Sequence, residues 1–83
     1  MEMMEPGYYR HFKGNYYKLL FEGKDSETLE DMVIYQALYG EGQIWVRPKR
    51  MFFENVIRDD YSGPRFTPVT EEEARSVSGN RII

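Results

Sequence analysis

Few residues in this chain could do chemistry, and they are unevenly placed. His11 is the sole histidine, and no cysteine is present. Imidazole titrates near neutrality and suits a general base or a metal ligand. Here a hairpin about Gly14-Asn15 sets it beside Lys18, a cation that disfavours charging it, and only distant carboxylates are on offer as metal partners. A structural role fits it better than a catalytic one. The richer pattern is aromatic and basic: Tyr9, Tyr16 and Trp45 with Lys13, Lys18 and Arg47. Rings of this kind stack on nucleobases while lysines track phosphates, and aromatic grooves also hold extended peptides. In a small domain the same tyrosines also cover a core and the same lysines keep it soluble.

Arg10, Arg47 and Arg65 carry planar forks that suit a carboxylate or a phosphate equally. Arg10 has two readings, a pair with Glu27 or the lining of an anion pocket. Ser26-Glu27-Thr28 sets two hydroxyls about a carboxylate, a grouping that commonly holds a turn through local backbone bonds. No base and orienting acid accompany either hydroxyl, so nucleophilic catalysis has no support. No catalytic set, metal site or cofactor site is expected. The candidate ligand-binding residues are Tyr9, Arg10, Lys13, Tyr16, Glu27, Trp45, Arg47 and Arg65.

These residues need a scaffold, and composition limits it. A chain of 83 residues, 41% hydrophobic and 16% aromatic, supports one small core, helped by the area each ring buries. Without cysteine there is no disulfide framework, which points to a reducing cytoplasm. No apolar run reaches the roughly 20 residues of a membrane span, and the acidic start is unlike a signal peptide. No membrane partner is expected. The net charge of -3 argues against a protein built mainly to neutralise phosphates. The charges come in blocks. Residues 7–24 hold four bases against Glu22, residues 25–42 hold five acids and no base, and residues 43–58 hold four bases against Glu54. Cross-strand pairing accounts for such blocks, and a basic face is the alternative.

Gly14-Asn15 is a hairpin signal. As a two-residue loop it pairs Phe12 with Tyr17, Arg10 with Leu19 and Tyr8 with Phe21. Tyr8, Arg10, Phe12, Tyr17, Leu19 and Phe21 then face the core, and Tyr9, His11, Lys13, Tyr16, Lys18 and Leu20 face water. Residues 24–30 read as a loop and 31–39 as a strand. Gly40-Glu41-Gly42 turns the chain back into a strand over 43–47, with Val33, Tyr35, Ala37 and Tyr39 beside Ile44 and Val46, and with Trp45 and Arg47 opposite. Pro48 stops that strand. A short turn, a brief strand at 53–57, a loop over 59–64 and a closing strand at 65–67 follow. Thr70-x-x-Glu73 is a capping-box pattern for a short helix over 71–77, and the last residues are expected to fray.

Five blocks in order resemble the small bacterial family catalogued as domain of unknown function 1653. They are residues 7–17 (Gly-Tyr-Tyr-Arg-His-Phe-Lys-Gly-Asn-Tyr-Tyr), Ser26-Glu-Thr28, Val33-x-Tyr-x-x-Leu-Tyr-Gly40, Trp45-Val-Arg-Pro48 with Met51-Phe52, Glu54 and Val56, and Pro64-Arg-Phe66. The resemblance implies an SH3-like barrel and no stated activity, so no catalytic residue is carried over from it. The expectation is an all-β, SH3-like small barrel of about five strands over residues 7–67, after a short acidic segment over 1–6 and before a polar extension over 68–83. Its expected role is that of a non-enzymatic binding or adaptor module, monomeric or weakly dimeric, taking a nucleic-acid, nucleotide or peptide ligand. The alternative is a small enzyme or ligand sensor whose pocket is built from Arg10, Glu27, Trp45, Arg47 and Arg65.

Overall fold

A computed structural model describes residues 7–78. Seven strands and two helices follow in order: β1 (Tyr8–His11), β2 (Tyr16–Lys24), β3 (Asp31–Ala37), β4 (Ile44–Pro48), α1 (Lys49–Phe52), β5 (Asn55–Arg58), β6 (Tyr61–Pro64), β7 (Phe66–Val69) and α2 (Glu71–Ser78). Five strands form one antiparallel sheet in the order β4-β3-β2-β1-β7, and β5 and β6 form a separate hairpin. The all-β class is as the sequence indicates. The barrel closure is not seen, because β4 and β7 end the sheet as separate edges. The early acidic segment and the expected fraying at the C-terminus lie outside the described residues.

The core occupies one face of the sheet. Leu19 from β2 and Val33 and Tyr35 from β3 are buried there against Phe52 of α1 and Phe66 of β7, with Tyr9 and Tyr17 packed alongside. Phe52 and Phe66 lie face to face, with ring centroids 4.0 Å apart and planes 4° from parallel. Tyr9 and Tyr35 each meet Phe52 edge-on at 5.2 Å. Pro48 ends β4 as expected, and the single helical turn that follows it swings Phe52 over the sheet.

Both hairpins depart from the expected register. Tyr9 pairs with Tyr17 and Arg10 with Tyr16, a shift of three residues from a Gly14-Asn15 loop. The loop is longer because Phe12 leaves the ladder: its N–H donates to the Arg65 carbonyl at 2.9 Å and its ring stacks on Tyr61 at 5.3 Å. Gly14, at φ 111°, completes the wider turn. An odd shift exchanges the two faces of a strand. Tyr9 and His11 therefore point to the core side with Tyr17 and Leu19, while Tyr8, Arg10 and Tyr16 point away.

The second hairpin behaves alike. Tyr35 pairs with Trp45 and Val33 with Arg47, so Trp45 and Arg47 share the core side and Ile44 and Val46 face outward. Here the cause is Leu38, whose N–H donates to the Tyr16 carbonyl at 3.0 Å and whose side chain is buried on the outer face. A bulge between Leu19 and Phe21 reverses parity once more. It leaves Phe21 exposed, where the sequence places it in the core, and it directs Glu22 toward Lys49 at 3.2 Å.

Residues 59–64, read as a loop, are instead a tight Asp59-Asp60 turn and strand β6. The capping box is half made. The Glu73 N–H donates to Thr70 Oγ1 at 3.0 Å, but the Glu73 carboxylate accepts from the Tyr16 hydroxyl at 2.7 Å. This contact docks α2 on the outer face, where Ala74 is buried with Tyr16 and Leu38. The charge blocks pair in part, with Lys24 to Asp31 and Arg50 to Glu30 at 2.6 Å each, while Arg10, Lys13, Lys18, Arg47 and Arg58 form no ion pair among the described residues.

If the aromatic stack organises the core, Phe52→Ala should remove about 3–5 kcal/mol of stability, a large part of what a domain this small holds. Phe52→Leu should fall between that variant and the parent. Urea unfolding followed by circular dichroism checks both.

Candidate functional site

The exchanged faces gather a set of side chains that the sequence reading divided. On the core side of the sheet, beyond the Phe66 ring, a cavity of about 200 Å³ is lined by His11, Tyr17, Tyr35, Tyr39, Trp45, Arg47 and Phe66. β1, β2, β3, β4 and β7 each contribute to it. Its aromatic walls are held by the core, since Tyr17, Tyr35 and Phe66 pack edge to face at 5.5 Å from one another. Trp45 is 48% exposed at the rim.

Arg47 is the cation of this cavity. Its Nε–H donates to the Tyr35 hydroxyl at 3.1 Å, and its guanidinium carbon lies 6.0 Å from the Phe66 ring centre. Among the described residues no carboxylate pairs with it. A fixed guanidinium in a partly dry site, with no neutralising partner, favours an anion.

His11 responds to the same surroundings. Burial, followed by the charges of Arg65, Arg47 and Lys13, lowers its pKa from 6.5 to about 4. Its Nδ1 accepts the Lys13 N–H at 3.1 Å, so the neutral ring holds its proton on Nε2 and protonation at Nδ1 would break this bond. The ring sits edge-on to Phe66 at 4.9 Å. The sequence weighed His11 as structural; its neutrality and packing fit that reading, yet it is also part of the cavity wall. Burial, then the hydrogen bond with the Tyr39 hydroxyl at 2.8 Å, pushes the Tyr17 phenol well above the usual tyrosine range. Burial also raises the Tyr9 phenol.

Of the eight residues chosen from sequence, only Trp45 and Arg47 line this cavity. Arg65 lies near enough to act on His11, but it pairs with Glu54, and its Nε is buried without a hydrogen-bond partner. Tyr9 packs against Phe52 and Phe53. Arg10 and Tyr16 are on the opposite face, Arg10 exposed and Tyr16 buried under α2. Lys13 borders a separate hollow of about 330 Å³ with Phe12, Arg58, Asp59, Asp60 and Tyr61. Glu27 is exposed in a turn held by Asp25, whose carboxylate accepts the N–H groups of Glu27 and Thr28 at 2.8 and 3.2 Å and is held below the usual carboxylate range by those bonds. Arg10, Glu27, Trp45, Arg47 and Arg65 thus do not converge, and Arg10 and Glu27 do not pair.

His11, Tyr17, Tyr35, Tyr39 and Phe66 were missed as site residues. Tyr17 and Tyr35 were correctly placed toward the core, and the available signal was that a short aromatic core has to share its rings with any cavity beside it. Among the described residues no group of three or more His, Asp or Glu side chains could hold a metal ion, and no helix is long and apolar enough to cross a membrane.

Fold and site together define a small antiparallel-sheet domain with an aromatic, arginine-bearing cavity on its core face. By sequence, residues 7–68 match the family described as protein of unknown function, DUF1653, and the chain belongs to that family. The crystal structure of a DUF1653 protein from Bordetella bronchiseptica is similar at 35% identity, covering 81% of this chain and 88% of that one with a TM-score of 0.72. Comparison with curated proteins finds no match.

The lowered His11 pKa has a definite sign. The folded protein binds this proton less tightly than the unfolded chain, so the stabilisation is complete above pH 6.5 and is lost progressively as pH falls toward 4. His11→Asn, whose Oδ1 can replace Nδ1 as acceptor, should lose less stability than the parent over that window. Urea midpoints at pH 7, 5.5 and 4.5 measure the difference.

Proposed function

We propose that this protein is a non-catalytic binding module that holds an anionic group attached to a flat ring in the Arg47 cavity. The observation that carries this reading is the Arg47 guanidinium, fixed by Tyr35 over an aromatic floor and paired with no carboxylate among the described residues. A volume of about 200 Å³ is below the ~300 to 1,000 Å³ of drug-sized pockets. It suits one ring and its charged substituent, such as a single nucleotide unit or an aromatic residue at a peptide's carboxyl end. Trp45 and Tyr39 supply stacking surfaces beside the charge. Burial first, and then the charges of Arg65, Arg47 and Lys13, keep His11 neutral, and those charges favour an anion in the same place.

An enzymatic reading draws less support. No carboxylate lines the cavity, Tyr17 in its wall holds its proton tightly, and of the five residues of the alternative pocket only Trp45 and Arg47 come together.

Trp45 is the sole tryptophan and reports directly on occupancy. Titration with mononucleotides, short single-stranded oligonucleotides and acidic or aromatic-ended peptides should change its fluorescence for at least one anionic class. Arg47→Ala should then weaken that binding by about 10- to 100-fold, the worth of a charged hydrogen bond of roughly 1.5–3 kcal/mol. Unchanged fluorescence with every class, or equal affinity in Arg47→Ala, would count against the reading.

A further inference from the structure

The two edges of the main sheet differ in kind. β7 carries Pro68 within the strand, which removes a donor from that edge. β4 carries Ile44-Trp45-Val46 with no proline, lysine or bulge before Pro48 at its end, and its one charge, Arg47, is bonded to Tyr35 on the core side. Native edges are normally blunted by such devices. Ile44 and Val46 are 51% and 60% exposed.

The register shows which main-chain groups of β4 are free. The Ala37 N–H donates to the Gln43 carbonyl at 2.9 Å, which makes Ala37 and Gln43 a hydrogen-bonded pair. Antiparallel ladders alternate, so Trp45 and Arg47 also bond to β3, while the N–H and C=O groups of Ile44 and Val46 point to the open edge. The outer face beside them is apolar. Phe21 stands opposite Ile34, and Ile34 opposite Val46, in one row across β2, β3 and β4. Phe21 is 68% exposed, and among the described residues α2 packs at Tyr8, Tyr16, Leu38 and Val69 instead of over this row.

We infer that β4 pairs antiparallel with β4 of a second copy of this chain about a two-fold axis at Trp45. This register sets Ile44 of each copy opposite Val46 of the other. All four free groups on each strand are then used, forming four backbone hydrogen bonds between the copies. The row Phe21, Ile34, Val46 continues into Ile44 of the other copy and then into its Gln36 and Lys18, so the apolar contact across the axis is the pair Val46–Ile44, made twice. Lys49, just past Pro48, already bonds Glu22 at 3.2 Å, so the contact rests on the strand edge and on Val46 with Ile44 and not on charge. Pro48 limits the ladder to these bonds. The contact is thus smaller than the ~1,600 Å² of a standard interface, and association depends on concentration. Both Arg47 cavities open on the same side of the joined sheet, with the Trp45 residues adjacent at the axis.

Sedimentation equilibrium across micromolar to millimolar concentrations tests this. The apparent mass should rise from that of one chain toward that of two, and Val46→Lys, on the outer face and away from the cavity, should hold it at one chain while keeping the parent's circular dichroism spectrum. The chain has no cysteine, so a single engineered thiol reports proximity. Trp45→Cys should oxidise to a covalent dimer, since residues opposed at a non-hydrogen-bonded position have Cα atoms about 4.5 Å apart. Phe21→Cys, separated across five strand spacings of about 4.8 Å, should do so more slowly. A constant single-chain mass for the parent overturns the inference, also if an extended peptide then adds to β4. Equal oxidation of the two thiol variants overturns it as well.

Discussion

The stack of Phe52 on Phe66 is the contact on which the rest of the molecule depends. With no disulfide and no metal cluster among the described residues, this chain relies on aromatic area in a core that has room for few side chains. Phe52 reaches the sheet only because Pro48 ends β4 and one turn of α1 follows. Phe66 reaches it because β7 pairs with β1, opposite His11. Tyr9, Tyr17 and Tyr35 fill the ring edges. The chain segments before and after β4 are thereby pinned to one spot.

The cavity follows from that arrangement. Tyr17, Tyr35 and Phe66 belong to the packed cluster and also to the cavity wall, so the surface a ligand would meet is as rigid as the core beneath it. Arg47 is aimed by the Tyr35 hydroxyl, and Tyr35 is itself packed edge-on against both Phe52 and Phe66. Positioning of the charge is thus inherited from core packing. The outer face is divided in a comparable way, since α2 covers one part through Ala74 and the Tyr16 to Glu73 bond while, among the described residues, Phe21, Ile44 and Val46 near β4 are exposed.

Much of this was legible in the residues. Alternation identifies Val33, Tyr35 and Ala37 as one buried face, and all three are buried. Tyr17 and Leu19 belong to the core as read, Pro48 ends its strand, and Thr70 caps a helix at Glu71–Ser78. Trp45 and Arg47, both candidates by sequence, line the cavity, although the pattern sets them on the face away from Tyr35. Family membership was also apparent from five short blocks.

Sequence alone determined the class of fold, the positions of most strands and the residue types available to a ligand, because these depend on local preference and on a side-chain period of two. Which face each strand presents was decided only by tertiary structure. An odd change in loop length reverses a whole strand, and the loop lengths here are set by distant partners: Tyr61 draws Phe12 out of the first hairpin, and Tyr16 with α2 draws Leu38 out of the second. Those two contacts bring His11, Trp45 and Arg47 to one side of the sheet, and that convergence creates the cavity.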